Sequence, residues 1–236
     1  MNKPPKINPN PDWENIDTVL LDLDGTLLDR HFDDYFWGCY VPENYALLYD
    51  LEIEEARGQL LARFNELQGT LAWADLDHWS EVLGMDIPEL KRRVDALVAV
   101  HPHVVDFLLF CRENQKRVCL VTNAHHKTLA IKMARAPLVK YWDQVVCAEE
   151  IGVAKEEPEF WPRLERCLGY DKARTMLVDD TERVLDAAFT HGGLRYLIHV
   201  ARPSSRAPKG YSTRYSSIVY FSELITGAEN NQEGRG

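Results

Sequence analysis

The sequence predicts an α/β fold: a parallel sheet with helices on both faces, interrupted by an inserted all-helical segment. Three observations carry this. Apolar runs at 18–23, 117–121, 144–148, 174–178 and 194–200 read as buried strands, because short aliphatic runs bounded by turn residues suit strands covered on both sides. Helical stretches at 103–115, 126–136, 158–168 and 181–190 alternate with them, which is the pattern of a doubly covered sheet. From about 30 to 100 the alternation stops and only helical signals remain.

Residues 1–16 read as a polar arm with Lys3, Pro4, Pro5, Pro9 and Pro11; it has no apolar stretch and so no signal peptide. The first run, Thr18-Val19-Leu20-Leu21, leads into Asp22-Leu23-Asp24-Gly25-Thr26. In the insert, Glu54 to Leu67 reads as a helix and Pro88 opens another over 89–100. Leu71, Trp73, Leu76, Trp79, Val82 and Leu83 recur at helical spacing and predict a core stripe rather than a base-binding box. His101-Pro102-His103 marks the return from the insert. These boundaries divide the chain into a core (1–29 and 101–225), a helical segment (30–100) and a flexible tail (226–236).

A chain of 236 residues, 45% hydrophobic and 27% charged, is long enough to bury a sizeable core. Its net charge of −10 argues against nucleic acid as a partner, since a phosphate backbone demands clustered Lys and Arg. A single small phosphate is still admissible where a divalent ion and a lysine invert the local field. The five cysteines (Cys39, Cys111, Cys119, Cys147, Cys167) are odd in number and form no CxxC, and Cys119 and Cys147 lie inside apolar runs, so reduced, buried thiols and a cytoplasmic location are expected. No segment reaches the ~18 apolar residues of a membrane span.

The chemistry gathers at the run ends, where ligands of such sheets bind. Asp22 and Asp24, two apart on a continuing strand, would share one face about 7 Å apart at ~3.3 Å rise per residue. Buried like charges repel unless a cation or proton compensates them, so the pair asks for a metal. Arg117–Val121 leads into Thr122-Asn123, Gln144–Ala148 towards Gly152 and Lys155, and Arg174–Val178 into Asp179-Asp180.

In this order the four signals resemble the haloacid dehalogenase-like (HAD) hydrolase superfamily, with its Rossmann-like core and, in the position of residues 30–100, a C1 cap that closes over the site and selects substrate. The resemblance implies a phosphomonoester hydrolase with Asp22 as nucleophile, forming an aspartyl-phosphate, and Asp24 as general acid and then base. It implies Mg²⁺ held by Asp22, the Asp24 carbonyl and Asp179, with Asp180 acting through a water or in support. The Thr122 hydroxyl, the Asn123 amide and Lys155 would meet the phosphoryl oxygens. One departure stands at the third motif: many members have Gly-x-x-Lys-Pro, whereas Gly152-Val153-Ala154-Lys155-Glu156-Glu157-Pro158 delays the proline by two residues.

Each residue also has a plainer reading. Aspartates cap helices and hold turns, Thr122 suits a turn, and Asp180 could cap a helix starting at Thr181. His125-His126 fits a helix start or a substrate-rim contact, a metal role needing more ligands at defined spacing.

The aromatic segment Asp29 to Trp37, with Thr122-Asn123-Ala124-His125, Lys155-Glu156 and Leu185-Asp186-Ala187-Ala188, is similar to bacterial purine 5′-nucleotidases acting on GMP and IMP. Phe32, Tyr35, Phe36 and Trp37 could stack on a purine or form the joint between insert and core. Asp33, Asp34, Arg57 and Arg63 are the candidates for reading its 6-oxo and N1–H groups. The sister reading is a sugar-phosphate or phosphoglycolate phosphatase. Dehalogenation is disfavoured by Asp24, and a non-catalytic binding protein is the reading of another class.

Overall fold

The computed structural model describes residues 10–225. Six parallel strands, β1 (Thr18–Leu21), β2 (Arg117–Thr122), β3 (Gln144–Cys147), β4 (Thr175–Asp179), β5 (Tyr196–Val200) and β6 (Ser216–Ile218), lie in the order β3-β2-β1-β4-β5-β6. Leu21 of β1 stands between Leu120 and Val178 in the register. Successive side chains on a strand point to opposite faces, and both faces here are covered. Val19, Leu21, Val118, Leu120, Met176 and Val178 pack with Phe107 and Leu108, while Leu20, Cys119, Val121 and Leu177 pack with Trp161, Leu164 and Val184.

Six helices make up the insert that follows β1: α1 (His31–Tyr35), α2 (Val41–Tyr49), α3 (Ile53–Leu67), α4 (Leu71–Ala74), α5 (Leu76–Leu83) and α6 (Ile87–Arg93). A π-helical turn, Phe36–Tyr40, joins the first two. They bury a hydrophobic cluster of their own around Phe36, Leu60, Trp79, Leu83 and Ile87. Phe64 meets Trp79 edge-on at 5.0 Å, and Trp37 lies 5.9 Å from Trp73. After β1 and this insert come α7 (Val104–Glu113), α8 (His126–Arg135), α9 (Ala148–Ile151), α10 (Phe160–Leu168) and α11 (Glu182–Ala187).

The two connections between insert and core run side by side. Asp29 N–H donates to Ala99 O and His101 N–H to Leu27 O, both at 2.9 Å, around an antiparallel bridge between Leu28 and Val100. That pairing is why the helix expected over 89–100 ends at Arg93: the chain must be extended by Ala99 to pair with its own outgoing segment.

Four further expectations need correction. Trp13 and Ile16 are buried, with Trp13 Nε1 donating to Leu224 O at 3.1 Å, so the described part of the N-terminal arm is anchored to the core. Val82 is exposed and leaves the predicted stripe. The edge strand β6 was not foreseen, because Ser-Ser-Ile is too short and polar to register as an apolar run. Cys111, Cys119 and Cys147 are buried thiols, but Cys39 is half-buried and Cys167 exposed. The tail expected at 226–236 lies outside the described residues. Among the described residues no helix is long and apolar enough to cross a membrane.

Candidate active site

The motif residues meet at the carboxyl ends of β1, β2 and β4, in a cleft of about 800 Å³ roofed by the helical insert. The strand β1 stops at Leu21, so Asp22 and Asp24 sit on a turn rather than on one strand face. The N–H groups of Leu27 and Leu28 fold back to Leu23 O at 2.9 and 2.8 Å. Gly25 makes the turn at φ +88, and a Cβ there would stand 2.6 Å from Asp180 Oδ2 and 2.9 Å from Pro203 Cβ. Only glycine fits a left-handed position with that little room.

Lys155 is the electrostatic centre. Its side chain is 2% exposed, and Nζ donates to Asp22 Oδ1 at 2.6 Å and Asp179 Oδ2 at 2.7 Å, with Val121 O at 3.3 Å. The segment delivering it is held by Asn123: Lys155 N–H donates to Asn123 Oδ1 at 2.9 Å, and Asn123 Nδ2 donates to Glu156 Oε2 at 2.8 Å. Trp161 Nε1 closes the loop onto Lys155 O at 2.9 Å. The path after the lysine is thus set by side-chain hydrogen bonds, with α10 beginning at Phe160.

Thr122 ends β2, buried, and its Oγ1 accepts from Ala124 N–H at 3.0 Å, which leaves the hydroxyl proton to donate into the cleft. Asp179 Oδ1 accepts from Thr181 N–H at 2.9 Å. Asp180 therefore does not cap α11; it receives Arg30 Nη1 on Oδ2 at 2.8 Å. One oxygen each of Asp22, Asp179 and Asp180 lies within 4.8 Å of the others. Hard carboxylate oxygens so gathered fit Mg²⁺, and Asp180 stands among them as near as the two expected ligands.

The carboxyl pKa values respond to this crowding. Burial pushes Asp22 above the usual carboxylate range against the pull of Lys155, with the Asp179 charge adding to the rise. Burial likewise raises Asp179, and burial with the Asp179 and Asp22 charges lifts Asp180 to about 8. Burial favours neutral Lys155, but Asp179 and Asp22 outweigh it and hold the ammonium above its ordinary value. A divalent cation among these groups would relieve the repulsion that raises them.

A pair of further lysines, not foreseen from the sequence, lies beside Asp24 and Asp33. Lys132 on α8 is 1% exposed and donates to Asp24 Oδ1 and to Asp33 Oδ2, both at 2.5 Å. Lys91 on α6, also buried, donates to Asp33 Oδ1 at 2.8 Å. Burial, helped by Asp33 and Asp22, pushes Asp24 up to about 6 against Lys132. The available signal was a lysine on the buried face of a helix: Lys132 follows Thr128 at i+4, and both Thr128 and the intervening Ile131 are buried.

Phe32, buried between Lys132 and Lys91, and Phe36, buried within the insert's own cluster, cannot stack on a ligand, while the half-buried Trp37 lines the cleft with Phe64 and Trp73. Asp34 and Arg57 also line it. Asp33 is locked between two lysines, and Arg63 donates to Val82 O at 3.3 Å. His125 is buried before the start of α8, and His126 meets Glu149 through N–H at 3.0 Å and Nδ1 at 2.8 Å, which is a helix start. Those groups and Asp75 and Asp77 also approach ion-binding spacing, but His126 engages Glu149 and Lys127 engages Asp77.

Residues 16–192 match the haloacid dehalogenase-like hydrolase family. The chain is 34% identical over 213 residues to the GMP/IMP nucleotidase YrfG of Escherichia coli (strain K12), covering 90% of this chain and 96% of that protein. It is 23% identical over 188 residues to a phosphorylated carbohydrates phosphatase of Thermotoga maritima, covering 75% and 82%. The crystal structure of a HAD phosphatase from Thermococcus onnurineus superposes with a TM-score of 0.74 at 21% identity, over 89% of this chain and 97% of that one. With the motif residues converging at the ends of β1, β2 and β4 and the match spanning core and insert, the chain belongs to the haloacid dehalogenase-like hydrolases.

Proposed function

We propose that the chain is a Mg²⁺-dependent phosphomonoester hydrolase, a 5′-nucleotidase converting purine nucleotides such as GMP and IMP to nucleoside and phosphate. The observation that carries it is Lys155, buried between Asp22 and Asp179. A buried ammonium between two carboxylates, lining a cleft, is an expensive arrangement with no folding purpose, and it neutralises charge where a phosphate dianion must enter. Similarity to a GMP/IMP nucleotidase over nearly the whole chain favours the purine substrate.

Phosphoryl transfer needs an in-line nucleophile and neutralised equatorial oxygens. Asp22 attacks phosphorus through the oxygen that Lys155 does not hold, giving an aspartyl-phosphate. Asp24 protonates the departing ester oxygen and then takes a proton from the water that hydrolyses the intermediate. A carboxyl raised to about 6 suits both duties near neutrality. The Thr122 hydroxyl, the Asn123 backbone amide and Lys155 bind phosphoryl oxygens. When bound by Asp22, the Asp24 carbonyl and Asp179, with Asp180 alongside, Mg²⁺ supplies the remaining charge neutralisation.

The insert (30–100) acts as the C1 cap and supplies the half of the cleft that takes the nucleoside: Trp37, Phe64 and Trp73 as apolar walls, Asn65 and Gln68 as amide partners. A phosphate-release panel with and without EDTA tests this. GMP and IMP should exceed AMP, sugar phosphates and phosphoglycolate, all abolished by chelation. Preference for a sugar phosphate would overturn the nucleotidase reading, and no Mg²⁺-dependent release from any ester would overturn the enzyme.

A further inference from the structure

We propose that Lys132, held from behind by Asp33, is the positioning residue for the Asp24 carboxyl group, so that leaving-group protonation depends on the helical insert being seated. This rests on the reading of Asp24 as general acid. Four charged groups alternate in sign along one chain: Asp24, Lys132, Asp33 and Lys91. The first two belong to the core and the last two to α1 and α6 of the insert. Both ammonium groups are buried, and the Phe32 ring lies under them at 5.3 and 5.2 Å. An apolar side chain at position 132 would pack α8 against the core without burying a charge, so packing does not account for the lysine.

The geometry gives it a task. An ammonium can only donate, so Asp24 Oδ1, at 2.5 Å from Lys132 Nζ, must accept. The acidic proton of Asp24 then resides on Oδ2, the oxygen left for the ester. Without that bond the carboxyl rotates about its terminal torsion and presents either oxygen. Asp33 fixes Lys132 in turn and is itself fixed by Lys91. Lifting the insert removes Asp33 from Lys132, and the hold on Asp24 loosens.

The test uses two esters that differ in their need for a proton. The nucleoside of a nucleotide leaves as an alkoxide and needs one, whereas the nitrophenolate of p-nitrophenyl phosphate departs without it. The measurement is kcat/KM for both, using GMP or whichever alkyl phosphomonoester the panel favours. General acid assistance contributes about 10²–10⁴-fold, so Lys132→Met should lower kcat/KM for the alkyl ester by about 10²-fold and leave p-nitrophenyl phosphate within about threefold. Lys132→Arg should restore part of the alkyl rate. Asp33→Asn, which leaves Lys132 on Asp24, should show the same selectivity at about tenfold, and it serves as the test if Lys132→Met fails to fold by circular dichroism. Equal losses on both esters in a folded variant, or no loss, would overturn the proposal. Asp24→Asn separates the two claims: equal losses there would sink the general-acid reading itself, whereas selective loss there without it in the Lys132 and Asp33 variants sinks only this inference.

Discussion

Gly25 and Asp180 are separated along most of the core yet packed so closely that a methyl group on Gly25 would stand 2.6 Å from Asp180 Oδ2. The turn carrying Asp22 and Asp24 is thus seated on the carboxylate pair that ends β4. Gly25→Ala should strain the φ +88 turn and displace both aspartates. The expected result is a stability loss of about 1–3 kcal/mol and a rate loss near ~10²-fold, the scale of a 1 Å misplacement. Urea unfolding and turnover check it.

Removing Lys155 strands two buried carboxylates. Lys155→Met should abolish turnover and destabilise the fold by about 3–5 kcal/mol, the cost of breaking a buried ion pair by deleting one partner. Mg²⁺ should recover more stability in this variant than in the wild type, because the carboxylates then lack any other cation. Thermal melts with Mg²⁺ and with EDTA measure the difference.

The raised carboxyl groups also fix the sign of a pH effect in the metal-free protein. Asp180 in the folded state titrates at about 8, against ~3.9 in an unfolded chain. The folded state therefore binds the proton more tightly, and stability is lost as pH rises between those values. In EDTA, Tm should fall from pH 5 to pH 8, and Mg²⁺ should raise Tm more at pH 8 than at pH 5. A metal effect that shrinks as pH rises would contradict the electrostatic account.

Substrate recognition can be separated from chemistry in the insert. Arg57 lines the cleft and pairs with Glu54 on the exposed side of α3. Arg57→Ala should raise KM for GMP by about 10-fold, the worth of a hydrogen bond to a charged group, with p-nitrophenyl phosphate unaffected. Steady-state kinetics on both esters decides it, and equal KM changes would exclude a role in reading the base.

Much of this was legible because strand ends are legible. Asp22, Thr122, Lys155 and Asp179 follow apolar runs or a helix-ending glycine, and those runs became β1, β2, β3 and β4. The β1 boundary was misjudged by two residues, since Leu23 is as apolar as Leu21 but belongs to the turn. What sequence could not show was pairing across the insert. Asp33 stands among the candidates for reading the base and Lys91 and Lys132 are single helix charges in the sequence, and only their juxtaposition over the Phe32 ring gives them meaning. The aromatic density of 29–37 was likewise ambiguous in one dimension: it divides into buried joint at Phe32, insert core at Phe36 and cleft wall at Trp37.

The most direct test of the account is single-residue: turnover of GMP by Asp22→Asn, with its fold verified by circular dichroism. Loss of activity by several orders of magnitude in a folded protein is the predicted result, since the amide can neither attack phosphorus as a carboxylate nor form the aspartyl-phosphate. Wild-type turnover by that variant would contradict the assignment of the nucleophile and the mechanism built on it.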